Sequence, residues 1–100
     1  MKTTTYEIQI EAYLNYLRNE ERSPVTIEQY RRDILCFFSF LDDGELTKAA
    51  ALSYKEELEE KYQPASVNVK LSALNSFFGF IGRSDLKLKF MKIQKSVYCS

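Results

Sequence analysis

Two stretches of the chain share one polarity gradient. Residues 23–41 read SPVTIEQYRRDILCFFSFL, and residues 64–81 read PASVNVKLSALNSFFGFI. Each opens on a Pro and a small hydroxyl residue, continues with helical periodicity and ends in a Phe-Phe-x-Phe cluster. Such a helix plants its aromatic end in a core and leaves its polar start exposed. There the unpaired N–H groups and the dipole favour an anion. Two of these helices in one small chain point to a surface that grips nucleic acid.

The rest of the chain supports a helical core. One hundred residues fit one domain, and 45% hydrophobic content with 14% aromatics suffices to bury one. With only 3 Gly and 2 Pro, the composition is not that of a disordered chain. No apolar run is long enough to span a membrane. The start, MKTTTYEIQIEAY, lacks the apolar stretch of a signal peptide. Cys36 is expected as a small buried hydrophobe and Cys99 as part of the tail, so a disulfide is not expected and the chain reads as reduced and cytoplasmic.

Periodicity predicts four helices. The first covers about 4–21, with Ile10, Tyr13, Leu14 and Leu17 on one stripe. Ser23 caps the second, with Pro24 at its first position and Ile27, Tyr30, Ile34, Phe37, Phe38 and Leu41 inward. Asp42-Asp43-Gly44 ends it. Thr47 caps the third, 48–61, whose weaker stripe is Ala51, Leu52, Tyr54 or Lys55, Leu58 and Tyr62. The fourth starts near Ala65 or Ser66 and runs to Ile81, with Val67, Leu71, Leu74, Phe77, Phe78 and Ile81 inward and Gly82 as a left-handed stop. The remaining LKLKFMKIQKSVYCS is expected as an extended segment, frayed or packed on the domain.

Charge is balanced, 14 basic against 14 acidic residues. Its distribution is uneven. Arg83, Lys87, Lys89, Lys92 and Lys95 face only Asp85 after residue 82, while Glu56, Glu57, Glu59 and Glu60 make the third helix acidic. The absence of His, of Cys-x-x-Cys, of a Gly-rich phosphate loop and of a nucleophile elbow excludes the common catalytic and metal-binding constellations. Asp42-Asp43-Gly44-Glu45 lacks calcium-loop spacing. The reading is no catalytic residue, no metal, no cofactor and no small-molecule substrate.

The order and spacing of Tyr16-Leu17, Glu21-Arg22-Ser23, Thr26-Ile27, Tyr30-Arg31-Arg32-Asp33-Ile34, Phe37 and Phe40-Leu41 resemble the N-terminal core-binding domain of phage-integrase-type tyrosine recombinases. The resemblance continues through Leu46-Thr47, Tyr54, Leu58 and Tyr62. It then takes in Pro64-Ala65-Ser66-Val67-Asn68, Lys70-Leu71-Ser72-Ala73-Leu74, Ser76-Phe77-Phe78 and Phe80, so that it covers about residues 6–83. It implies an all-α, compact four-helix SAM-like bundle over 1–83 with an extended basic tail. Residues 84–100 would then be a linker toward a catalytic domain absent from this chain. The family's Arg, Lys, His, Arg and Tyr set is missing, and Tyr98 lacks the motif of its nucleophile.

The implied function is to grip one face of a recombination site, with duplex DNA and other recombinase protomers as partners. The candidate DNA-binding residues are Arg22, Ser23, Thr26, Gln29, Arg31 and Arg32 around the second helix, Ser66, Asn68 and Lys70 on the fourth, and Arg83. Against this, Ser23 and Ser66 are also plausible caps, and Arg31 and Arg32 have Glu28 and Asp33 as possible ion partners. The alternative is a helical protein-interaction domain, favoured by zero net charge and the acidic third helix. Salt-dependent binding of duplex DNA separates the two.

Overall fold

In the computed structural model the backbone is described for residues 3–42 and 44–92, and side chains from residue 6. It contains α1 (Thr3–Asn19), α2 (Pro24–Leu41), α3 (Lys48–Lys61), α4 (Pro64–Phe80) and a 3-10 turn, Ser84–Leu86. No strand occurs among the described residues. The expected all-α bundle is therefore present. Asp43, Lys95, Tyr98 and Cys99 lie outside the described residues.

Local chemistry sets the helix ends. Ser23 Oγ accepts from Thr26 N–H at 3.1 Å and caps α2, with Pro24 behind it. Thr47 Oγ1 accepts from Ala50 N–H at 3.1 Å and caps α3 in the same way. Gly82, at φ 79, closes α4: Arg83 N–H reaches back to Phe78 C=O at 2.8 Å. Ser66 is not a cap. Gln63 stands at that position and makes no side-chain cap bond. Glu21 also adopts a left-handed conformation, φ 61, and turns the chain sharply from α1 toward α2.

The core is aromatic. Tyr13, Phe37, Phe77 and Phe78 are fully buried, joined by Leu14, Leu17, Ile34, Leu71, Leu74 and Val67. Phe37 meets Phe78 edge-on at 5.8 Å and Phe38 meets Phe77 at 5.9 Å. Tyr13 packs on Phe77, and its hydroxyl donates to Ser76 Oγ at 2.6 Å. Three expectations need correction. Cys36 is exposed, because its position lies about 100° around α2 from Phe37, outside the buried arc. Leu52 and Tyr62 are likewise exposed; α3 buries only Ala51, Tyr54 and Leu58.

The segment after α4 packs back on the bundle. Leu86 and Leu88 are buried, so residues 84–92 form a strap. Asn75 brackets Leu88: its Nδ2 donates to Leu88 C=O at 2.8 Å, and its Oδ1 accepts from Leu88 N–H at 2.7 Å. Asn68 does the same for Met91, at 3.0 and 2.8 Å. From α3, Lys48 donates to Lys87 C=O, and Lys55 to Lys89 C=O at 2.6 Å. The packed outcome, not the frayed one, holds for these residues.

Candidate nucleic-acid interface

Contacts between α2 and α4 advance together. Asp33 meets Lys70, and further along Phe37 and Phe38 meet Phe78 and Phe77. The two helices therefore run in the same sense, and their N-termini lie at one end of the bundle. The tight turn at Glu21 brings the last turn of α1 to that end too. Both polar helix starts thus share a surface, which their sequences alone do not require.

Around the start of α2, Arg18, Arg22 and Arg31 line one groove with Pro24, Ile27 and Glu28, of about 330 Å³. Arg31 Nη1 lies 3.3 Å from Glu28 Oε2, an exposed pair of little energetic weight. Arg18 Nη1 donates to Asn15 Oδ1 at 2.5 Å. Arg22 and Arg32 are exposed and form no ion pair with a described residue. Ser23 is occupied as a cap, and its hydroxyl also donates to Thr26 Oγ1 at 3.0 Å. Thr26 is half-buried beside it.

Between α2 and α4 sits a polar cluster. Asp33 is only 2% exposed. Its Oδ1 lies 3.2 Å from Lys70 Nζ, and its Oδ2 accepts from Gln29 Nε2 at 3.2 Å. Lys70 Nζ also stands 4.8 Å from the centre of the Tyr62 ring. Burying a carboxylate is costly unless it is paired and hydrogen-bonded, and here both oxygens are engaged. At the start of α4, Pro64 has no N–H and no side chain caps the first turn. The N–H groups of Ala65 and Ser66 are left open to an anion.

The remaining two candidates, Asn68 and Arg83, are engaged within the chain. Both polar atoms of the Asn68 amide are taken by Met91. Arg83 lies beyond the far end of α4, roughly 25 Å from its start at 1.5 Å per residue. It forms a two-bond pair with Asp85, at 3.0 and 3.1 Å. That hydrogen bonding raises the Arg83 pKa and lowers that of Asp85. The structure thus groups Arg22, Ser23, Thr26, Gln29, Arg31, Ser66 and Lys70 at one end, with Arg32 on the outer side of α2. It separates Arg83 from them.

Sequence reasoning passed over Arg18, Asn75, Lys48 and Lys55. Arg18 was signalled by its place in the last turn before the Glu21 bend. Asn75 was signalled by standing seven residues after Asn68, hence on the same face of α4. Among the described residues no group of side chains could hold a metal ion, and no helix is long and apolar enough to cross a membrane.

Residues 10–84 match the family model of the phage integrase N-terminal SAM-like domain. The chain is 33% identical over 85 residues to tyrosine recombinase XerC of Oceanobacillus iheyensis, covering 77% of this chain and 28% of that protein. It is 31% identical over 91 residues to a tyrosine recombinase of Agathobacter rectalis, covering 85% and 30%. With tyrosine recombinase XerA of Thermococcus onnurineus it shares 35% over 91 residues, covering 88% and 32%. The matched stretch is thus under a third of the length of these relatives. No solved structure matches significantly. With a family model covering the four-helix bundle almost from end to end, the chain belongs to the phage integrase N-terminal SAM-like domain family.

Proposed function

We propose that this chain is the DNA-gripping N-terminal part of a tyrosine recombinase, and that it binds duplex DNA through the end of the bundle where α2 and α4 begin. The observation that carries this reading is the shared direction of α2 and α4, which puts Arg18, Arg22 and Arg31, beside the start of α2, at the same end of the bundle as Lys70 and the uncapped start of α4. Arginines and open backbone N–H groups are the donors that phosphate oxygens accept from. Thr26 and Gln29 add groups able to reach base edges.

In this reading the chain is not itself an enzyme. Strand cleavage belongs to a catalytic part outside it, and other recombinase protomers are its protein partners. The compartment of this reading is the cytoplasm, in keeping with relatives that are tyrosine recombinases. A few phosphate contacts correspond to a dissociation constant on the order of 10⁻⁴ to 10⁻⁶ M without sequence specificity, weakening as salt rises.

Amide chemical shifts followed during titration with duplex DNA at low salt test the assignment. Shifts are expected at residues 18–32 and 64–70. Shifts confined to the acidic outer face of α3, or none at all, would overturn it in favour of a protein-interaction domain.

A further inference from the structure

The strap and α4 are matched in length. Asn68 and Asn75 are seven residues apart, about 10.5 Å along a helix. Leu88 and Met91 are three residues apart, about 10 Å along an extended chain. Each asparagine can therefore present its amide to one strap residue, donating to its C=O and accepting from its N–H as a neighbouring β-strand would. Both N–H and C=O of Leu88 and of Met91 are satisfied this way. Neither contact involves a strap side chain.

The strap runs antiparallel to α4. Lys87 lies against Gly79, where a Cβ would stand 3.3 Å from its Cε and Nζ. Leu88 is opposite Asn75 and Met91 opposite Asn68. Asn68 is only four residues into α4, about 6 Å from its start. The strap thus carries the chain back to the end where the helix starts are gathered. Lys87, Lys89 and Lys92 are exposed along it, and Lys48 and Lys55 reach it from α3. Five lysines therefore line one stripe leading to the start of α4. Asp85, beside the start of this stripe, is itself paired with Arg83.

We propose that Asn68 and Asn75 are positioning residues that lock the strap into a rigid basic arm of the DNA surface, with Lys89 and Lys92 meeting phosphates beside the start of α4. This rests on the reading that the helix starts grip duplex DNA. It changes the part Asn68 plays: the amide holds the arm and does not read a base. An arm held by four hydrogen bonds presents its charges without the ordering cost that a tethered tail meets on binding.

Fluorescence anisotropy with a labelled duplex, from about 50 to about 200 mM salt, tests this on the intact chain. The parent first: absence of binding at low salt would sink the helix-start reading, and this inference with it. If the parent binds, Lys89→Gln/Lys92→Gln, both exposed, should leave the melting temperature unchanged. Its log K against log salt should be shallower by about 1 to 2, since each phosphate contact contributes about 0.9. Asn68→Ala/Asn75→Ala should flatten the slope comparably and make the Leu88 and Met91 amides exchange rapidly. A parent slope in the lysine pair overturns the arm while leaving the helix-start reading intact. A parent slope in the asparagine pair, with those amides exchanging rapidly, overturns the positioning role.

Discussion

Lys70 and Asp33 meet with Nζ 3.2 Å from Oδ1, and the two partners are unequally wet: the lysine side chain is 23% exposed and the aspartate 2%. The asymmetry gives the pair a direction. A lysine freed by loss of Asp33 has water within reach. An aspartate freed by loss of Lys70 retains only the Gln29 amide.

Lys70→Met should therefore cost more than Asp33→Asn. The expected losses are about 2–3 kcal/mol for the first and about 1 kcal/mol for the second, as follows when a buried charge loses its counter-ion against loss of charge alone. Urea denaturation of the two variants measures both. Equal losses would mean that the pair is as solvated as an ordinary surface bridge.

Phe77 is fully buried among Tyr13, Phe38 and Phe78, three rings from three helices or their neighbours. Phe77→Ala is expected to cost about 3–5 kcal/mol, a large share of the stability of a small domain. Thermal unfolding by circular dichroism checks it. An unchanged melting temperature would refute the core assignment.

Burial pushes the hydroxyl pKa of Tyr13 above its ordinary value and that of Tyr54 higher still. Both groups are held neutral in the folded state and ionise near pH 10 when unfolded. Their contribution is therefore fully present below about pH 10 and is lost as the pH rises toward the folded values. Urea midpoints measured between about pH 8 and 11 should fall at the alkaline end. Tyr54→Phe should flatten that fall; a parallel curve would place its hydroxyl in water.

Arg31 faces the groove shared with Arg18 and Arg22, whereas Arg32 lies about 100° around α2 from it. Arg31→Glu/Arg32→Glu reverses two charges whichever side the duplex approaches. It should abolish binding in an anisotropy titration with the helical spectrum intact. Binding at the parent affinity would move the DNA surface away from the start of α2.

Incubation of the chain with supercoiled DNA should yield no covalent protein–DNA adduct, since no His and no complete catalytic set is present in its sequence. Recovery of a phosphotyrosine link at any of the seven tyrosines would overturn this expectation.

Four helices, the caps at Ser23 and Thr47 and most of the aromatic core are legible in the order of the residues. Those properties are local: a cap depends on three or four neighbouring residues, and a buried stripe on 3.6-residue periodicity. That legibility fails at Cys36, Leu52 and Tyr62, which are apolar or amphipathic residues on the margins of stripes, where the angle to the neighbouring helix decides burial. That α2 and α4 run in the same sense, and so bring two polar starts together, emerges from the packing of the bundle. The same packing pairs Lys70 with Asp33 across 37 residues, and Asn68 with Met91 across 23. These choices depend on how helices and strap pack over the shared core, a long-range condition that no window of sequence contains.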